Sequence, residues 1–168
     1  MKLIHTGKGL AMNQNEFAVK ISELRDSLYR MAFIYLGGET PALKAVDEAV
    51  FKALLALPRL RRPDCFCPWV YRILINQCRQ EQKLQGQTTP SHKLSLSLPT
   101  ELSAQPLPEA ISRLPRKLKE PVILYYFGNL DTAKIAYALK ISKAAAETRL
   151  QRGVSLLGLD LSQEEKVI

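Results

Sequence analysis

Side chains suited to reading a nucleic-acid duplex are concentrated between residues 143 and 152. Five polar residues recur there at spacings that keep them on the outer side of one helix: Lys143, Glu147, Thr148, Gln151 and Arg152. An arginine fork fits guanine, a glutamine amide fits adenine, and a glutamate accepts a hydrogen bond from cytosine. The pattern predicts base contacts in a major groove, although the solvated face of an ordinary helical hairpin would have a similar composition.

A second stretch, residues 66–84, interleaves aromatic side chains with basic and amide groups. One predicted stripe is buried (Phe66, Trp69, Val70, Ile73 and Leu74), and a different side carries Tyr71, Arg72, Asn76, Arg79 and Lys83. Such a surface can stack bases and hold the phosphates of a single strand. Trp69 taken alone is also explained as a core residue, because large aromatic side chains dominate core burial.

The loop ahead of this stretch is rich in arginine. It carries Arg59, Arg61 and Arg62 within four residues. A solvated loop would account for them. Because guanidinium groups match phosphate oxygens, contacts to a nucleic-acid backbone are the second interpretation.

The sequence does not support enzymatic chemistry. The two histidines, His5 and His92, fall outside the predicted helices, so no histidine-centred catalytic arrangement is predicted. Three cysteines (Cys65, Cys67 and Cys78) together with His92 could in principle bind zinc, but C-x-C is not the spacing of structural zinc sites. We therefore predict no catalytic residue, no metal ligand and no cofactor.

Hydrophobic periodicity predicts three long helices in the first part of the chain. The first covers residues 15–36 and ends at a pair of glycines. The second begins with Thr40 as its cap and runs to residue 57. The third, residues 65–84, is capped by Asp64. These helices would position the arginine-rich loop and the aromatic-basic stretch.

Shorter helices are predicted in the last third of the chain. Residues 106–113 and 115–127 precede a helix-turn-helix, in which Asp131 caps the first helix and Ser142 caps the second. On that second helix we expect four residues to point inward: Ala145, Leu150, Val154 and Leu157. Lys140 stands at the turn position that glycine often fills, where a left-handed conformation costs roughly 1 kcal/mol.

Between the two groups of helices lies a polar, Ser- and Thr-rich stretch with two prolines. Its composition predicts a flexible linker over residues 86–105, and the alternation of Leu with Ser there leaves a short strand as an alternative. We therefore predict an all-α fold of two small helical domains, residues 15–85 and 106–158, the second of which is the helix-turn-helix. Residues 1–14 would be a flexible leader and residues 159–168 a tail.

Charge and composition restrict the partners. The chain of 168 residues has a formal net charge of +8, which suits a nucleic acid or another acidic surface without specifying a sequence. No apolar run approaches the roughly 20 residues that span a bilayer, so no membrane insertion is predicted. An odd number of cysteines without an export signal fits a reduced cytoplasm.

Two runs of residues resemble the bacterial sigma-70 family of RNA polymerase sigma factors, specifically its small extracytoplasmic-function (ECF) group. Residues 66–78, FCPWVYRILINQC, are similar to the family's F-x-x-W-[LV]-Y-R-I-A-x-N run in the second conserved region. Residues 114–153 contain L-P, L-Y-Y-F, I-A-x-x-L-x-I-S and T-R-L-Q-R-G, in the order of the fourth region. Asp47-Glu48 and the F-K-A-L that follows stand where the family has Q-E ahead of F-x-K-A-L.

The resemblance implies roles for individual residues. Asp47 and Glu48 would dock on core RNA polymerase, and Asn76 matches a position near a flipped-out base. Contacts to the promoter element that melts are implied for Lys52, Arg59, Arg61, Arg62, Phe66, Trp69, Tyr71, Arg72, Asn76 and Arg79. Recognition of the more distant duplex element is implied for Lys143, Glu147, Thr148, Arg149, Gln151 and Arg152. The chain would then direct promoter recognition, DNA melting and transcription initiation, and family members are commonly held inactive by an anti-sigma partner.

Several positions depart from the family pattern. Leu43 and Lys44 stand where acidic residues are frequent, Gln80 where aspartate is frequent, and Lys140 at the turn glycine. Two alternatives therefore stay open: a helix-turn-helix regulator that never joins polymerase, and a degenerate sigma-like interaction protein. Strong loss of binding with rising salt would indicate multiple phosphate contacts.

Overall fold

The computed structural model describes residues 11–86 and 106–158, and all regular structure in these two stretches is helical. The helices are α1 (Gln14–Leu36), α2 (Glu39–Ala56), α3 (Phe66–Leu84), α4 (Pro106–Ser112), α5 (Arg116–Tyr126), α6 (Thr132–Leu139) and α7 (Lys143–Leu156). Short 3-10 turns, Leu57–Arg59 and Pro63–Cys65, connect α2 to α3. The predicted all-α fold is confirmed. The linker with its possible strand, nearly all of the leader and the whole tail lie outside the described residues.

Local sequence signals define both ends of α1. Asn13 Oδ1 accepts a hydrogen bond from the Glu16 amide at 2.9 Å, and the Asn13 amide donates to Glu16 Oε2 at 3.1 Å. This reciprocal capping box satisfies two backbone donors of the first turn. At the other end, Gly37 adopts a left-handed φ of 74° and ends the helix, as its sequence predicts.

Two predicted caps in this part of the chain are wrong. The second helix begins one residue before Thr40, after Gly38 in extended conformation, and no side chain caps it. Asp64 does not cap α3, because its carboxylate accepts a hydrogen bond from Arg62 Nη2 at 2.8 Å. The side chain of a predicted cap residue can instead bind a nearby cation, as Asp64 binds Arg62.

The front half, residues 11–86, is a three-helix arrangement in which α1, α2 and α3 all contact one another. A fully buried column of four alanines on α2 allows close approach to its neighbours: Ala42, Ala45, Ala49 and Ala53. Larger side chains from α1 and α3, such as Phe33 and Leu74, fill the space between the helices. Small side chains facing large ones give dense packing.

The back half, residues 106–158, places α7 across α5 and α6. Ala146, Leu150, Gly153 and Val154 form the buried side of α7. The prediction that Ala145 points inward is wrong by one residue, since Ala145 is only half-buried and Ala146 is fully buried. The spacing 146, 150, 153, 154 is that of one helical face.

The two halves pack against each other. Helix α1 contacts α4 and α5, and α3 contacts α6. Buried residues of both halves belong to one continuous hydrophobic cluster. No helix within residues 11–86 and 106–158 is both long and apolar enough to cross a bilayer.

Candidate nucleic-acid interface

The helix-turn-helix is formed by α6, α7 and the turn between them. Asp131 Oδ1 accepts a hydrogen bond from the Lys134 amide at 2.9 Å, and Ser142 Oγ accepts one from the Ala145 amide at 3.1 Å. Both predicted caps are confirmed. Each oxygen satisfies an otherwise unpaired amide of a first helical turn and so defines where that helix begins.

The turn itself contains a non-glycine residue in the left-handed conformation. Lys140 has φ 54° and ψ 47°, and the next amide, that of Ile141, donates to the Ala136 carbonyl at 3.1 Å. This hydrogen bond closes the end of α6 in the manner usually adopted by glycine. The fold therefore retains the turn geometry although lysine replaces glycine.

The outer face of α7 carries the predicted base-reading side chains. Lys143, Glu147, Thr148, Gln151 and Arg152 are all exposed, and Arg149 is half-buried. Lys143 Nζ lies 4.0 Å from Glu147 Oε1, and both side chains are exposed. The structure thus brings five predicted residues onto one accessible helical face, and the sixth, Arg149, lies at its edge.

Gly153 determines how closely α7 can lie on α5. A Cβ atom at this position would be 2.6 Å from Val122 Cγ2 and 3.3 Å from the Leu118 carbonyl oxygen. Only a residue without a side chain fits that distance without movement. Gly153 belongs to a run that resembles the family, but nothing in its local spacing indicates this packing contact.

Helix α3 presents a mixed surface in which the predicted aromatic residues are mostly covered. Phe66 and Tyr71 are buried, and Trp69 is half-buried with its ring centroid 6.1 Å from that of Phe66. Burial raises the pKa of Tyr71 to about 12. Phe66 and Tyr71 therefore pack inside this arrangement, while Trp69 and the exposed Asn76 remain accessible.

The arginine-rich loop is open to solvent. Arg59, Arg61 and Arg62 are exposed, and Arg62 pairs with the exposed Asp64 at 2.8 Å. The hydrogen bond from Arg62 lowers the pKa of Asp64 below its usual range. Within residues 11–86 and 106–158, neither Arg59 nor Arg61 forms an ion pair.

Polar side chains connect α2 to α3. Lys52 Nζ donates to Gln77 Oε1 at 2.6 Å and to Gln80 Oε1 at 3.3 Å. Lys44 forms an ion pair with the buried Glu81 at 3.2 Å. These contacts join the two helices through Lys44, Lys52 and Gln80. Lys44 and Gln80 are two of the positions that depart from the sigma pattern.

Asp47 and Glu48 lie on the exposed side of α2, which is unusually apolar. Four large hydrophobic side chains are exposed on this helix: Leu43, Phe51, Leu54 and Leu55. Phe51 is 58% exposed and Leu55 is 65% exposed. A groove of about 740 Å³ between α1 and α2 is lined by Asp47 and Phe51 among others. We call residues 43–55 on this side the α2 face.

Arg72 and Arg79 of α3 reach the back half. The Arg72 guanidinium lies over the Tyr137 ring, 4.4 Å from its centroid, and also donates to the Tyr137 carbonyl oxygen. Arg79 Nε and Nη2 donate to the two carboxylate oxygens of Glu120 at 2.8 and 2.5 Å. Glu120 and Tyr137 are not predicted from the sequence, because nothing in local spacing indicates a contact across 41 or 65 residues.

Within residues 11–86 and 106–158, no group of three or more His, Cys, Asp or Glu side chains is placed to hold a metal ion. Cys65 and Cys67 are half-buried and Cys78 is buried. Burial raises the pKa of both Cys67 and Cys78, which keeps these thiols protonated.

Comparison with known proteins finds a family model that matches the back half and a relative that matches most of the chain. Residues 104–157 match the family model described as sigma-70, region 4. The chain is 28% identical over 150 residues to RNA polymerase sigma factor SigV of Bacillus subtilis, covering 86% of this chain and 90% of that protein. Residues 104–157 are therefore a sigma-70 region 4 domain, and the chain as a whole is similar to a sigma factor. The long match to SigV agrees with the ECF group that the sequence motifs indicate.

A second relative is matched over less of its length. The chain is 26% identical over 135 residues to the probable RNA polymerase sigma factor RfaY of Xanthomonas campestris pv. campestris. That match covers 70% of this chain but spans only 33% of RfaY. The similarity therefore concerns one part of that longer protein.

Two solved structures share the fold of this chain. CnrH, solved in complex with the cytosolic domain of CnrY, superposes with a TM-score of 0.68 at 21% identity, covering 87% of both chains. The sigma factor RpoE of Bartonella quintana, solved with the anti-sigma factor NepR, gives a TM-score of 0.72 at 16% identity, covering 87% of this chain and 99% of RpoE.

Proposed function

We propose that this chain is a sigma factor that binds core RNA polymerase and directs promoter recognition, DNA melting and transcription initiation. The observation that carries the proposal is the exposed polar face of α7 on a helix-turn-helix matched to sigma-70 region 4. The front half would act as a region 2-like domain and the back half as the region 4 domain. The polymerase would supply catalysis, and this chain would supply promoter recognition and strand separation, in the cytoplasm.

The distal promoter element would be read in duplex form by α7. Lys143, Thr148 and Arg149 are suited to phosphates and register, whereas Glu147, Gln151 and Arg152 present groups that match base edges. Gln151 and Arg152 are adjacent and exposed in the second half of the helix. They are the strongest candidates for sequence preference.

The promoter element near the start site would be held by α3 and the loop before it. Unstacking a base costs a few kcal/mol, and stacking on a protein aromatic returns about 1–3 kcal/mol per base. Trp69 and Asn76 are accessible for stacking and for hydrogen bonding to a base edge. Arg59 and Arg61 would hold phosphates, as would the exposed Lys52 of α2.

Polymerase would dock on the α2 face. Exposed apolar patches of this kind mark protein interaction sites. Asp47 and Glu48 lie about one helical turn before the exposed Phe51, so acidic and apolar contacts would be made together. A partner surface with basic groups around an apolar centre fits this face. An anti-sigma protein is proposed as a further partner.

Retention of purified bacterial core polymerase on the immobilised chain, followed by selection of genomic fragments, tests the proposal. A sigma factor retains polymerase, and fragments with a shared promoter pattern are enriched only when polymerase is present. A helix-turn-helix regulator would retain no polymerase and would select the same fragments alone. That second result would overturn the proposal.

A further inference from the structure

A groove lies between the second half of α7 and the start of α5. It has a volume of about 550 Å³ and is lined by Leu118, Thr148, Gln151, Arg152, Ser155 and Leu156. The five α7 residues recur at intervals of three and four, so they form one stripe along the helix. The groove therefore runs beside the base-reading side chains Gln151 and Arg152.

Two leucines form the apolar part of this groove. Leu156, the last residue of α7, is 66% exposed, and Leu118 of α5 is half-buried. A single exposed leucine needs no explanation, but one that continues into a groove offers a binding site to another segment of chain. The groove is large enough for a few side chains and too small for a folded domain.

The charges around the groove are mostly positive. Arg152 lines it, and the exposed Arg116 and Lys117 begin α5 beside it. The one acidic side chain of α7, Glu147, lies 4.0 Å from Lys143. Guanidinium groups bind carboxylates through paired hydrogen bonds. An occupant with carboxylates next to an apolar side chain would fit both the leucines and the cations.

The tail, residues 159–168, has that composition. Its sequence, LDLSQEEKVI, contains three acidic residues and one lysine, whereas the whole chain has a formal net charge of +8. Leu161 follows Asp160 and precedes Glu164 and Glu165 by three and four positions. Opposite charge on two parts of one chain favours contact between them.

The end of α7 permits the tail to return along the helix. Gly158 has a left-handed φ of 71°, and its amide donates to the Ser155 carbonyl at 3.0 Å. A left-handed glycine ends a helix and turns the chain away from its axis. Arg152 lies six residues before Gly158, about 9 Å along the axis, whereas six extended residues span up to roughly 20 Å. Glu164 is therefore within reach of Arg152.

We propose that the tail occupies this groove, with Leu161 against Leu118 and Leu156 and with its carboxylates at Arg152. Since Gln151 and Arg152 would then be covered, the tail competes with DNA for the recognition helix. The inference rests on the proposed function in assigning these two residues to DNA. It adds a competitor within the same chain, whose carboxylates take the place of phosphates and must be displaced by a promoter.

Photo-cross-linking locates the tail in the absence of DNA and polymerase. A benzophenone amino acid replaces Ser162 in the full chain, and mass spectrometry identifies the cross-linked peptides. We expect adducts at the start of α5, around Leu118. Leu156→Ser should remove these adducts. Leu84→Ser, the same change at a 77% exposed residue that ends α3, should retain them. Absence of adducts on α5, or adducts only between isotopically labelled and unlabelled copies, would overturn the proposal.

Affinity for a labelled duplex of random sequence tests the competition. Leu161→Ser keeps every charge of the tail and removes its apolar contact. If the tail covers the groove in about four chains of five, this change should tighten duplex binding about fivefold, because only the uncovered fraction binds. Leu156→Ser should give a similar gain, and the two changes combined should give no further gain, since both break one contact. Leu84→Ser should leave the affinity unchanged.

Circular dichroism of each variant checks that helix content is retained. Unchanged duplex affinity in Leu161→Ser would overturn the competition, and additive gains from the two leucine changes would overturn the assigned contact. A chain that behaves as expected in both measurements and yet retains no polymerase would count against the proposed function alone, because neither measurement includes polymerase.

Discussion

Gly153 of α7 and Val122 of α5 approach so closely that a Cβ on the glycine would lie 2.6 Å from Val122 Cγ2. Valine is stiff at χ1, so it cannot easily move aside. This contact sets the distance at which the candidate recognition helix rests on its support. It therefore connects a packing detail to the position of the base-reading face.

We expect Gly153→Ala to destabilise the protein by about 1 kcal/mol. Overpacking typically costs about 1–3 kcal/mol, and the better helix propensity of alanine returns about 0.5–1 kcal/mol. Urea unfolding followed by circular dichroism measures the change. Ser155→Ala on the exposed side of the same helix is the control and should not destabilise the protein. Equal or greater stability of Gly153→Ala would show that α5 and α7 can separate freely.

At Lys140, in the turn, we expect the opposite effect: introducing a glycine should stabilise the protein. Because its φ is 54°, glycine should be preferred there, and Lys140→Gly should stabilise the chain by about 1 kcal/mol. Lys140→Ala retains a Cβ and should bring no such gain. Comparison of thermal midpoints for the two variants separates backbone strain from loss of the lysine charge. A larger gain from alanine would contradict the strain argument.

Arg152→Ala tests base reading by α7. If its exposed guanidinium forks onto a guanine, its loss should cost about 1–3 kcal/mol on promoters with that base pair and relax preference at that position. Lys143→Ala is expected to weaken binding evenly across sequences. Binding to a library of duplexes measures both patterns. If Arg152→Ala weakened binding equally for every duplex, Arg152 would contact only a phosphate.

Phe51→Ala tests the α2 face. A central aromatic anchor in an interface typically costs more than 1 kcal/mol when truncated, so affinity for core polymerase should fall about tenfold. Val19→Ala is a suitable control, because Val19 is 59% exposed on α1, close to the 58% of Phe51. Fluorescence titration of labelled chain with core polymerase gives both affinities. Equal loss from the two variants would argue against a defined docking face.

Helical periodicity and capping chemistry made most of the fold predictable. The ends of α1 and the caps Asp131 and Ser142 are set by neighbours within four residues, which is the range over which sequence patterns are informative. Asp64 was predicted wrongly because a competing cation, Arg62, stands two residues away. The order and type of the elements follow from local chemistry even where individual caps do not.

The contact between the halves could not be predicted from the sequence. Tyr35 and Glu120 are 85 residues apart, and no periodic pattern links them. The local sequence predicts that Glu120 is a solvated charge on a short helix, because carboxylates are seldom buried without partners. Its burial appears only when Tyr35 and Arg79 are brought to it by the packing of α1 and α3 against α5. The same packing covers Tyr71, which the sequence placed on an accessible side.

Run-off transcription with purified core polymerase on genomic fragments of the source organism tests the central claim most directly. We expect transcripts that require this chain and that are lost when Trp69→Ala and Asn76→Ala are combined. Leu84→Ala, at an exposed residue at the end of the same helix, should retain them. If polymerase is bound and yet no fragment gives a transcript dependent on this chain, the chain does not initiate transcription and the account is contradicted.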